Sequence, residues 1–192
     1  MGKDRLAAFS DGVIAIIITI MVLELHVPHG ADLEVLSAIA PSFFGYVLSF
    51  IYVGIYWNNH HHLLHTVTRV DGLILWANLD LLFWLSIIPV ATAWMGQNLG
   101  APLPTAIYGA ALLMPAFAYV FLQWTIVRRE GRQSTLAEAL GADLKGKISP
   151  ILYIAGIVLA FVNPWISVAL YVLVAIIWLV PDRRIARRVG GA

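Results

Sequence analysis

The stretch ISPILYIAGIVLAFVNPWISVALYVLVAIIWLV, residues 148–180, decides how this 192-residue chain is built. It contains no Asp, Glu, Lys or Arg, and it is too long for one helix crossing a bilayer, which takes about 20 residues. Asn163-Pro164 sits near its middle, and an Asn-Pro pair is a strong turn signal. The stretch therefore reads as two short helices over 148–162 and 165–180. Outward from it the whole chain is similarly apolar. Sixty per cent of its residues are hydrophobic and only 12% are charged, with a mean hydropathy of +0.84. A soluble domain carries about 25% charged residues, so half the usual charge is missing and a water-exposed surface could not be covered. Disorder and a disulfide scaffold are excluded as well, the second because the chain has no cysteine. The composition is that of an integral membrane protein.

Four further apolar runs precede the deciding stretch, over 6–27, 39–59, 72–95 and 104–127. The chain thus reads as a single all-α domain, 1–192, of six transmembrane helices. Basic residues fix its orientation. With six spans, one side receives the N-terminus, the 60–71 and 128–147 loops and the C-terminus. Those segments hold Lys3, Arg5, Arg69, Arg128, Arg129, Arg132, Lys145, Lys147, Arg183, Arg184, Arg187 and Arg188, which is every Lys and Arg in the chain. The positive-inside rule places that side, with both termini, in the cytoplasm of a cell-membrane protein. A five-span count would leave the C-terminal arginines outside, so the charges support the break at Pro164. Trp57, Trp94, Trp124, Trp165 and Trp178 lie near predicted helix ends, as an aromatic belt requires. Pro89 and Pro115 fall inside the third and fourth spans and are expected to bend them. Lys3 and Arg5 ahead of an apolar run resemble a signal peptide. No small-residue cleavage site follows, however, and Asp11 interrupts the run, so the segment reads as a retained helix.

Ionisable residues inside a span are costly, about 2.5–3.5 kcal/mol at a helix centre, and each is a candidate functional site. Asp11 and Glu24 on the first helix, Asp80 on the third and the histidines closing the second qualify. The plainer reading of Asp11 and Asp80 is that they cap or cross-link helices. In Asn58-Asn59-His60-His61-His62-Leu63-Leu64-His65, His61 and His65 share a helical face at a spacing that can hold zinc. Membrane di-iron hydroxylases need about eight histidines in several clusters. This chain has six, and His26 and His29 fall on the opposite side. A polar network at the cytoplasmic end of helix two is the favoured role. No metal site or cofactor is assigned, and no nucleophile–base pairing of an enzyme is found.

At 100° per residue, Gly12, Ile16, Thr19, Ile20 and Leu23 form one stripe on the first helix. Such a stripe serves lipid contact, core packing or a pore lining. Asp11 points roughly away from it.

The segment Arg5-Leu-Ala-Ala-Phe9-Ser10-Asp11, opening the first of six helices, resembles the Arg-x-x-x-Phe-Ser-Asp signature of the transmembrane protein 175 family. That family comprises lysosomal potassium channels of animals and their short prokaryotic relatives. The resemblance also takes in Trp57 and the histidines after it, and the absence of a Thr-Val-Gly-Tyr-Gly filter loop agrees with it. It implies that first helices from each repeat converge on a pore axis. Ile16 then forms the narrowest ring, Ile20 and Leu23 form further rings, and Thr19 supplies a hydroxyl layer linked to selectivity. A single motif per chain implies a homotetramer. Arg5, Phe9, Ser10 and Asp11, with Trp57 and His61, would hold helix one against its neighbours. On a straight helix Arg5 and Asp11 do not share a face, so a direct pair between them is not expected.

The function implied is a potassium-permeable cation channel, weakly permeable to other monovalent cations. A hydrophobic constriction replaces the carbonyl filter, and potassium-over-sodium selectivity is moderate. Glu24, Asp32 and Glu34 place negative charge at the outer mouth. The alternative is a proton- or sodium-coupled secondary transporter relaying through the intramembrane Asp and His residues, although no internal repeat of the transporter kind is present. The basic residues lie in short segments beside the membrane, and no nucleic-acid partner is read from them.

Overall fold

The structure, a computed structural model, describes residues 2–27, 30, 32–131 and 144–179. These residues form six helices: α1 (Lys3–Leu23), α2 (Leu33–His65), α3 (Gly72–Gln97), α4 (Pro102–Glu130), α5 (Leu144–Leu159) and α6 (Pro164–Leu179). His29, Arg132 and the arginines at 183, 184, 187 and 188 lie outside the described residues.

The helix ends follow from local chemistry. The Asp71 carboxylate caps α3 by accepting from the Ile74 N–H at 2.9 Å. Pro102 opens α4, where a missing N–H costs nothing, and Arg128 and Arg129 face the carbonyl end of its last turn. Gly131 closes α4 at φ +101°, a left-handed conformation that favours glycine. Between α5 and α6, Asn163 accepts from the Trp165 N–H at 3.0 Å and Pro164 starts the new helix. The chain therefore reverses at the predicted point.

The helix predicted over 39–59 continues to His65, so the histidines ride on α2 and not on a loop. Pro89 and Pro115 are buried inside helices that run on through them. α1 to α4 are each long and apolar enough to cross a membrane. α5 and α6 have 16 described residues each. That is about 24 Å of helix, short of the roughly 30 Å hydrocarbon core.

Packing is sequential. α1 lies at one side of the bundle on α2 and α3, α3 packs closely on α4, and the α5–α6 hairpin covers α4 from the other side. Small residues allow the close approaches, as expected where lipid supplies no hydrophobic drive between helices. A Cβ on Gly96 would stand 2.8 Å from the Ser42 Cα, so α2 and α3 touch at backbone distance. Tyr52, Tyr108 and Tyr171 are fully buried in a second core between the hairpin and α2 and α4. There the Tyr52 hydroxyl donates to the Tyr171 carbonyl at 2.5 Å.

One end of the bundle is tied by polar contacts. Glu130 accepts from the Thr68 N–H at 2.8 Å and from its hydroxyl, and Arg129 lies 3.7 Å from Asp71. These contacts join the α2–α3 connection to the end of α4, which is the end that the basic residues mark.

Candidate pore-lining helix and its anchors

α1 has two chemically distinct faces. Leu6, Ser10, Ile14, Ile17 and Met21 are buried against α2 and α3. Gly12, Ile16, Thr19, Ile20 and Leu23, the stripe read from the sequence, are all exposed in the protomer, Ile16 at 60% and Leu23 at 75%. Thr19 donates its hydroxyl proton to the Ala15 carbonyl at 2.8 Å. Its oxygen lone pairs are left facing outward, available to a cation but with no proton to offer an anion. The stripe is therefore an apolar surface broken by one layer of acceptor oxygen.

Two polar limbs fasten this helix. In the buried limb the Asn78 amide donates to Ser10 Oγ at 3.0 Å, and Ser10 donates to the Leu6 carbonyl at 2.9 Å. The other end of Asn78, Oδ1, lies 2.7 Å from His60 Nε2. A carbonyl oxygen can only accept, so His60 carries its proton on Nε2. All three side chains are buried. In the second limb Trp57 Nε1 donates to Asp11 Oδ1 at 3.0 Å, the His61 ring lies 6.2 Å from the Trp57 ring, and His61 Nε2 is 3.1 Å from His65 Nε2.

The histidine that meets the buried limb is thus His60; His61, chosen from the sequence, stands on the Trp57 face. Phase along α2 explains the difference. His60 falls in line with buried Val53 and Leu64, whereas His61 falls four residues after Trp57. Asn78 is the residue that sequence reasoning underweighted; its signal was a lone carboxamide among buried apolar residues of α3. Arg5 is exposed and, among the described residues, forms no ion pair within the protomer. Phe9 is half exposed. Asp80 points outward, away from buried Asn78. Glu24, Asp32 and Glu34 are exposed where α1 ends and α2 begins.

Replacing Asn78 with leucine strands the buried His60 Nε2–H and leaves Ser10 with only its bond to the Leu6 carbonyl. Each buried polar group left unsatisfied costs about 1–3 kcal/mol, so a clear drop in melting temperature of the purified protein is expected. An unchanged melt would show that the limb is dispensable.

The sequence model for the endosomal/lysosomal potassium channel TMEM175 matches residues 5–89, which take in most of α1, all of α2 and most of α3. A potassium channel of Chryseobacterium sp. (strain P1-3) is 56% identical over 187 residues, 97% of each chain. The chain belongs to the TMEM175 family. The crystal structure of a lysosomal potassium-selective channel TMEM175 homolog from Chamaesiphon minutus superposes with a TM-score of 0.81 at 28% identity, covering 92% of this chain and 96% of that one. An animal relative, the endosomal/lysosomal proton channel TMEM175 of Gallus gallus, is 35% identical over 103 residues, 47% of this chain and 21% of its own length. The signature residues Arg5 to Asp11 and both limbs fall within the matched region. Family members are channels, and the chain is not an enzyme.

Proposed function

We propose that this protein is a passive, potassium-permeable cation channel in which four copies set the exposed stripe of α1 around a common axis. The observation that carries this reading is the two-faced α1. One face is anchored by Ser10 and Asp11, and the other is bare, aliphatic and interrupted only by Thr19. Four Ile16 side chains form a dry constriction that gates by wetting, with Ile20 and Leu23 as outer rings. Potassium is preferred moderately over sodium because it sheds water more readily, and the Thr19 oxygens replace part of that water. Glu24, Asp32 and Glu34 draw cations to the outer mouth. Both termini face the cytoplasm of the cell membrane, where basic residues meet anionic headgroups.

The carrier reading needs a relay. Asp11 is held by Trp57 and His60 by Asn78, while Asp80 lies on another face of α3, and among the described residues no hydrogen bond joins these three groups to one another.

The test is ion flux from liposomes containing the purified protein, under a potassium gradient with sodium, chloride and proton substitutions. Fast potassium flux needing no counter-ion supports the channel. Flux that appears only with a proton or sodium gradient would replace it with the carrier. Within the same assay, Thr19→Ala is expected to bring potassium and sodium permeabilities closer together while leaving assembly intact. A reversal potential identical to that of the parent would remove Thr19 from the pore.

A further inference from the structure

The imidazoles of His61 and His65 occupy successive turns of α2, and their Nε2 atoms converge to 3.1 Å. Their rings lie edge to face, 4.4 Å apart. Two nitrogens bound to one tetrahedral zinc at 2.0–2.1 Å stand about 3.3 Å apart. The pair therefore already has the bite of a chelate, and a shift of a few tenths of an ångström would complete it. We propose that His61 and His65 form a two-imidazole binding site for a late first-row divalent cation, of the class Zn2+, Cu2+ or Ni2+.

Electrostatics at the site favour a cation. Both rings lie in the last two turns of α2, where the unpaired carbonyls give the helix its negative end. The Asp11 carboxylate is one side chain away, bonded to the Trp57 ring that packs beside His61. Both histidines are exposed, so water or a neighbouring chain can complete the coordination shell. Imidazole nitrogen selects these metals over Mg2+ and Ca2+, which prefer oxygen ligands. His62 lies beside His61, its ring 5.7 Å away at a steep angle, and is no part of the converging pair. A metal here would lock the last turns of α2, next to the limb that anchors α1. The site does not depend on the channel reading.

The experiment uses the full chain with its purification tag removed, titrated calorimetrically with Zn2+, Ni2+ and Mg2+. One Zn2+ or Ni2+ per chain is expected, with no Mg2+ binding, and the melting temperature should rise with the metal. Losing one arm of a chelate forfeits its effective-concentration advantage, so His61→Ala or His65→Ala should weaken binding by about 10²-fold and remove the thermal shift. His62→Ala should bind as the parent does. If an alanine variant fails to fold, His65→Gln keeps a polar side chain of similar length but has no ring nitrogen with a lone pair for the metal, its amide nitrogen being a donor only. Absence of binding to the parent protein, or parent-like binding by the His65 variants, would reduce the pair to a hydrogen bond and overturn the proposal. Equal weakening by His62→Ala would overturn the assignment to the pair.

Discussion

Ile16→Asn is expected to raise potassium flux through the reconstituted protein by at least tenfold and to reduce its preference over sodium. In a four-copy pore the substitution acts four times at one level. Removing an isoleucine from water is worth about 1.5–3 kcal/mol, so four amides in place of four sec-butyl groups strongly favour a wetted constriction. A barrier lowered by only about 1.4 kcal/mol already gives about tenfold in rate. The gain costs discrimination, because a wet ring no longer requires the ion to shed water. Liposome flux and the reversal potential under paired potassium and sodium gradients measure both effects. Ile14 provides the contrast: it lies on the opposite face at 1% exposure, so Ile14→Asn should damage folding and leave no channel to measure. Parent-like currents from a folded Ile16→Asn protein would put the stripe in contact with lipid.

Gly109→Ala is expected to destabilise the protein severely, against the ordinary trend for its position. In the interior of a helix, alanine is better than glycine by about 1 kcal/mol. Here the added Cβ would overlap the Tyr171 hydroxyl, stand 2.7 Å from its Cζ and meet the Ile157 side chain at 2.9 Å. Tyr171 has nowhere to go. It is fully buried, its hydroxyl lies 3.3 Å from the Thr105 carbonyl, and Gly156 leaves room for the other side of the same ring. Overpacking of this kind costs about 1–3 kcal/mol, and displacing the ring would also disturb the hairpin of α5 and α6. The expected readout is a lowered melting temperature or loss of the assembled species in size-exclusion chromatography. Tyr171→Phe removes the clashing oxygen, so the double variant should recover part of the loss, a non-additivity that a merely flexible site would not show. A Gly109→Ala protein as stable as its parent would mean that this slot is not tight.

Much of the architecture was legible in the chain. The apolar runs and the break at Asn163-Pro164 identify the helices because a bilayer allows no other use of uncharged stretches of that length. The stripe on α1 was legible for a related reason. A helix repeats every 3.6 residues, so five positions that share a face in projection share it in space, and all five are exposed together. Trp57 and Asp11 were likewise named in advance, and they bond.

Elsewhere the sequence was silent. Asn59, His60, His61 and His62 follow one another and so point in all directions around α2; nothing local marks which of them faces α3. Burial beside Val53 and Leu64 selects His60, and Asn78 completes the limb from 18 positions away. Ser10 reaches the same Asn78 across 68 positions, a pairing that no local pattern encodes. The extent of α2 was hidden as well: its predicted span covered 39–59, whereas the helix runs from Leu33 to His65.

By itself, then, the sequence determined which segments are apolar, which end of the bundle is basic and which face of α1 is aliphatic. All three are properties of one segment and its solvent. The tertiary structure alone decided that His60 and Asn78 anchor α1 and that Gly109 and Gly156 are spaces for one tyrosine. Those are relations between side chains, fixed only when helices distant in the chain come into contact and a buried polar atom must find whatever partner the packing places beside it.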